Sequence, residues 1–223
     1  MGAAIGQSLP VAVGVLVSPL PIVAVVLMLV SDHARTNAPA FVVSWFLAVL
    51  VLVGVVALLV GNAAPAAGGP AAWTGWLKIV LGAALLVLSV RQWRGRPRRG
   101  TTPAAPGWMS AVEQFTPVRA AGLAVLLGVV NPKNLLLVVS GGAAIAGAAG
   151  GDSSVAVVAS VVFALVASIG VVTPVVIWLA MGPRAAAVLD ELKAWMVRNN
   201  ATIMTVLLLV LGAKLLGDGI SVL

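Results

Sequence analysis

Long apolar runs, broken at a few polar points, dominate the chain. They predict six helices, at about residues 3–30, 37–60, 73–90, 118–149, 153–181 and 202–216. A bilayer crossing uses about 20 apolar residues, so these runs read as six membrane spans. Two runs carry a polar, proline-containing interruption. The fourth holds Asn131-Pro132-Lys133-Asn134 inside apolar sequence, and the first holds Ser18-Pro19-Leu20-Pro21 about 15 residues in. A proline removes one backbone donor and leaves the carbonyl one turn earlier without its helical partner. A lysine at mid-bilayer depth costs roughly 2.5–3.5 kcal/mol on insertion scales. Two asparagines beside it can bond the freed backbone groups. Polar, broken backbone is tolerated at that depth only where it is buried in protein or lines a cavity. The motif therefore predicts a managed break and a functional position.

The segments between the runs are short. A polar turn at 31–36 contains Asp32, His33 and Arg35, with His33 expected in solvent. Pro39 sits in the first turn of the second helix, where a missing N–H does no harm. A charge-free Ala/Pro/Gly loop follows at 61–72, with Trp73 and Trp76 at the interface level. The segment 91–102 holds Arg91, Arg94, Arg96, Arg98 and Arg99. Trp108, Val112 and Phe115 then recur at i, i+4 and i+7, the spacing of a short helix lying in the interface. A charged turn at 184–198 (Arg184, Asp190, Glu191, Lys193, Arg198), with an amphipathic stretch, precedes the sixth helix.

Ten Lys and Arg residues fall in loops 1–2, 3–4 and 5–6 with their adjoining helix ends, and none in the termini or the other two loops. The positive-inside rule then places both termini outside the cytoplasm. The five arginines of 91–99, with Trp108, are expected to anchor the membrane surface, to attract anionic headgroups or to dock a partner. Lys78 and Lys214 are expected to snorkel to the interface; Lys214 alternatively joins Lys133. Gly122, Gly128, Gly141 and Gly142 would allow close helix approach.

Composition narrows the class. Over 223 residues, 61% are hydrophobic and only 9% charged, with a mean hydropathy of +1.16. Soluble domains carry about 25% charged residues, so the chain is an integral membrane protein with no room for a soluble domain of useful size. Its net charge of +7 lies on one side in loops, which does not suit nucleic-acid binding. The absence of cysteine excludes an intramembrane thiol relay. A lone histidine cannot form a metal site, and no nucleophile–base–acid set or phosphate-cradling glycine loop is present. Neither enzyme activity nor a cofactor is expected. No carboxylate lies near a helix centre, so a proton relay has little support and the energy source stays open. The N-terminus lacks a basic n-region and an Ala-x-Ala site and reads as a retained helix.

The two halves share features in the same order. Each first helix has the proline-containing break, and each third helix carries Leu-Gly-Ala-x-Leu-Leu, at 81–86 and 211–216. Three-helix units entering from opposite sides make an inverted repeat: 1–94 and 118–223, with a basic loop and interfacial helix at 95–117, in one membrane domain. Matching interrupted spans point to a transporter's midplane site. Ser18 would cap the half-helix that begins at Pro19. Half-helix N-termini present free N–H groups and partial positive charge, and Lys133 adds a full one. The expected site for a phosphate, sulfate or carboxylate group is Ser18, Pro19 and Pro21 facing Asn131, Pro132, Lys133 and Asn134, with Lys214 as an addition.

The segments Ser18-Pro19-Leu20-Pro21-Ile22, Asn37-x-x-Ala40-Phe41-Val42-x-x-Trp45, Trp108-Met109 and Asn131-Pro132-Lys133-Asn134-Leu135 resemble the peptidoglycolipid-addressing family. That family includes the sulfolipid-addressing proteins and belongs to the LysE exporter superfamily. The resemblance implies a six-helix inner-membrane protein that helps to move glycolipid to the cell surface. It also implies membrane lipids or glycolipid as partners, together with a large lipid transporter of the resistance-nodulation-division type; a homodimer is left open. Two alternatives stand beside it: a small-solute exporter of the amino-acid type, and a non-transporting scaffold for a lipid transporter.

Overall fold

The computed structural model describes residues 1–62, 72–96, 111–221 and 223; Arg98, Arg99 and Trp108 lie outside them. Among the described residues eight α-helices follow in order: α1 (Gly2–Leu16), α2 (Pro19–Leu29), α3 (Ala34–Asn62), α4 (Ala72–Arg94), α5 (Pro117–Val125), α6 (Pro132–Ala149), α7 (Ser153–Met181) and α8 (Ala185–Ile220). A π-helical segment, Leu126–Val130, joins α5 to the Asn131 break, and a 3-10 turn, Gly182–Arg184, joins α7 to α8. No strand occurs among the described residues. Five helices are individually long and apolar enough to cross a bilayer, and α1 with α2, bent by 51°, makes six. The chain is an all-α, multi-pass membrane protein.

Helix starts follow local chemistry. Pro19, Pro117 and Pro132 occupy first-turn positions of α2, α5 and α6, where an amide would have no intrahelical partner. Asp152 caps α7 by accepting from the Ser154 and Val155 amides at 2.9 and 3.2 Å. α6 ends at Gly150, whose φ of 59° is left-handed and suits glycine.

One expectation needs correction. The charged stretch after residue 184 is not a turn: it is helical, continuous with the last span, and makes α8 36 residues long. At about 1.5 Å per residue that is about 54 Å, well beyond a hydrocarbon core of about 30 Å. The expected interfacial helix falls largely outside the described residues; its described part is the helical residue 111 followed by a 3-10 turn at Val112–Gln114. Val112 is buried there, and the Phe115 carbonyl accepts a 2.7 Å hydrogen bond from Asn37 Nδ2. That bond pins the entry to α5 against the start of α3.

Helices from the first part of the chain pack mainly on those from the second. α4 lies along α8, α3 along α5, α6 and α7, and α1 against α6 and α7. The α4–α8 seam is antiparallel and built on glycine. Gly75 meets Gly219 and Gly82 meets Gly212, so closely that a Cβ on Gly82 would lie 2.9 Å from the Gly212 carbonyl oxygen. Further along, Ser89 Oγ donates to the Thr205 carbonyl at 2.8 Å. Along α3, Gly128 packs on the Trp45 ring and Gly142 on Val53 and Val56. Gly141 is likewise closed over by Phe163, whereas Gly122 has no neighbour within 4 Å and serves no close approach.

This packing sorts the helix ends. Arg35 lines a cavity with Gly182 and Ala186, so the α2–α3 turn and the α7–α8 joint share one end of the bundle. The antiparallel seam turns the Arg91–Arg94 end of α4 away from the Gly75–Gly219 contact and in the direction of the start of α8. The opposite end gathers Gly61 and Asn62 of α3 beside Asp152 at the start of α7.

Candidate functional site

The two interruptions meet. α1 ends at Leu16, Ser18 is extended (φ −65°, ψ 112°), and α2 starts at Pro19. In the fourth run the Asn131 amide bonds the Leu126 carbonyl five residues back, at 2.8 Å. In that register the Leu127 carbonyl would need the amide of residue 132, which is a proline and has none. Asn134 Nδ2 takes its place, donating to Leu127 O at 2.8 Å. The other end of the same side chain reaches across: Ser18 Oγ donates to Asn134 Oδ1 at 3.2 Å. Asn134 is fully buried and Ser18 is 1% exposed. One asparagine thus repairs the broken backbone of one span and ties it to the break of another.

The candidate residues therefore divide. Ser18, Pro19, Pro21 and Asn134 are interior. Ser18 stands at the N-cap position of α2 but forms no cap bond, because its hydroxyl is committed to Asn134. Asn131 does cap its helix, its side chain accepting from the Lys133 amide at 3.3 Å. Asn131 and Lys133 are half-buried and Pro132 is exposed. Of the residues at the two breaks, these three present atoms to a ligand. The described ion pairs are Lys193–Asp190 and Lys214–Asp218, so Lys133 has no carboxylate partner among the described residues. It stands at the first turn of α6, where the amides carry partial positive charge.

The other two membrane lysines form a separate group. Lys214 pairs with Asp218 on its own helix. Lys78 does not snorkel: it is 8% exposed, its ammonium lies against Gly147 of α6, and Asp218 and Lys214 are the charges that bear on it. The glycine seam makes this possible by bringing the start of α4 to the end of α8. Sequence spacing could not reveal it, since the three residues lie up to 140 positions apart.

Asn37 and Trp45 also escaped selection as site residues. Both are fully buried on α3; Asn37 holds the Phe115 carbonyl and Trp45 underlies Gly128 of the π segment. Their signal was their place in one shared motif with Phe41. Of the basic anchors, Arg91, Arg94 and Arg96 are exposed, and Arg96 lies 3.5 Å over the Trp93 ring. Among the described residues no group of His, Asp or Glu could hold a metal ion.

A multi-pass helical bundle with two broken runs tied together, beside a lysine with no counter-charge among the described residues, belongs to the class of integral membrane proteins. The chain is a member of a particular family within it: the family model described as "Sap, sulfolipid-1-addressing protein" matches residues 9–221, and the chain belongs to that family. Membership indicates a role in lipid addressing or export. No curated protein and no solved structure matches the chain.

Proposed function

We propose that the protein moves, or helps to move, an anionic or polar lipid across the cytoplasmic membrane, engaging the headgroup at the two joined breaks. Lys133 supplies the charge, and Asn131 with the first-turn amides of α6 orients the group. Ser18 and Asn134 hold the two breaks together, and Pro19 and Pro21 set the geometry of the opposing half-helix. The observation that carries this reading is the Ser18–Asn134 hydrogen bond beside a lysine with no described counter-charge.

Depth supports it. Gly128 and Gly142 flank the Asn131 break and pack on Trp45 and on Val53 and Val56; Ala48, the middle residue of the 29-residue α3, lies between those contacts. The α1–α2 break touches α7 at Gly170, three residues from its middle residue Ala167. Each break is thus level with the centre of a long apolar helix, the midplane of a bilayer that those helices span. Pairing of early with late helices, and the antiparallel α4–α8 seam, fit two inverted halves (1–94 and 118–223). The basic end then faces the cytoplasm and both termini face away from it.

The test is surface glycolipid analysis of a deletion strain complemented with wild type or Lys133→Ala, with membrane abundance measured alongside. Loss of displayed lipid at equal abundance is the expected result. Normal display would overturn the headgroup site and favour a scaffold that assembles a separate lipid transporter.

A further inference from the structure

At the basic end, two adjoining cavities of about 440 and 450 Å³ share Leu29, Arg35 and Trp178. Each is of the size that holds a small ligand. Their walls differ. The first is lined by the polar turn, with Ser31, Asp32, His33 and Thr36. The second is lined by Val30, Leu179, Ala186 and Leu189. The turn that opens the second depends on Gly182, whose φ of 54° and ψ of −131° suit a residue without Cβ. Arg35 and Trp178 stand at the boundary between the polar and apolar walls. Arg35 is exposed and makes no ion pair or hydrogen bond with the described residues. A tryptophan at such a boundary is typical of the headgroup level of a bilayer.

We propose that this paired cavity binds an anionic membrane amphiphile, with its acidic headgroup on Arg35 and its first chain segments on the apolar wall beside Trp178. The charges facing the cavity favour an anion only in part. Arg184 adds a positive charge next to Gly182, and Asp190 is occupied by Lys193, but Asp32 lies in the polar wall and repels an anion there. Neutralising Asp32 should therefore tighten binding, whereas neutralising Arg35 should weaken it. A merely structural turn would show no such opposition of sign. The site is distinct from Lys133. If the protein carries lipid as proposed above, this is where the lipid waits on the basic side; binding here does not require that carriage occurs.

The experiment uses the full chain in dodecyl maltoside micelles and native mass spectrometry of retained phosphatidylglycerol against phosphatidylcholine. One interfacial charge contributes about 1 kcal/mol, so Arg35→Gln should lower phosphatidylglycerol retention about fivefold. Arg35→Lys should keep most of it, and Asp32→Asn should raise it. The loss in Arg35→Gln should be equally large when Lys133 is alanine in both proteins compared, which separates the site from the break. Millimolar inorganic phosphate should not displace the lipid, because the apolar wall contributes. Unchanged retention in Arg35→Gln, weaker retention in Asp32→Asn, or displacement by phosphate alone would each overturn the proposal.

Discussion

Replacing Asn134 by alanine tests the tie between the two interruptions. The side chain accepts from Ser18 Oγ at 3.2 Å and donates to the Leu127 carbonyl at 2.8 Å, in a fully buried setting. Alanine removes both bonds and leaves a hydroxyl and a carbonyl without partners. In soluble proteins each such orphan costs about 1–3 kcal/mol. Interhelical bonds in membranes average about 0.6 and reach about 1.7 kcal/mol, since the unfolded chain in lipid also finds partners. The membrane scale sets the lower bound, and two bonds put the loss for Asn134→Ala at about 1–3 kcal/mol. Ser18→Ala removes one donor while Asn134 still holds Leu127, so its cost should be about half as large. The double variant should cost no more than Asn134→Ala alone, with a coupling energy near the whole cost of Ser18→Ala. Unfolding in mixed dodecyl maltoside and dodecyl sulfate micelles, followed by far-UV circular dichroism, measures all three. Strictly additive costs would refute the shared bond and with it the joined site.

A Cβ on Gly170 would overlap the Leu16 carbonyl oxygen, a backbone atom that cannot rotate away. Gly170→Ala should lose about 1–3 kcal/mol in the same assay, whereas Gly122→Ala, with open space around it, should be neutral or gain up to about 1 kcal/mol; equal effects would contradict the close approach. The Asp152 carboxyl is held below the usual carboxylate range, chiefly by the Ser154 hydroxyl and then by the Val155 amide. A depressed folded value contributes stability above the unfolded value of about 3.9 that is lost as pH falls through the folded one. Asp152→Asn should therefore be less stable than wild type near neutral pH, with the gap closing in acid; a gap independent of pH would count against the cap.

Hydropathy exposed the helical membrane class, the spans and the proline motifs, because each leaves a mark within a few residues of itself. It misjudged α8 because loss of hydropathy marks where a helix leaves lipid, not where it ends. The segment beginning at Ala185 simply continues as an amphipathic helix. Ser18 was read as a cap because capping is a local rule; its actual partner is 116 residues away. Gly82 and Gly212 stand out in the sequence only as part of the repeated Leu-Gly-Ala-x-Leu-Leu motif, and Gly75 and Gly219 not at all, because seven-residue spacing on two separate helices acquires meaning only when the helices cross. Lys78 was judged a snorkelling side chain for the same reason, since its neighbours arrive by way of that crossing.

The α4–α8 crossing carries a mechanical implication. Backbone rests on backbone at two levels seven residues apart, with no side chain between them to deform. Displacing one strut lengthwise against the other would drive Leu86 or Ile79 into the space that the glycines leave vacant. The pair is suited to serve as a fixed axle, about which the rest of the bundle tilts while the seam keeps its register.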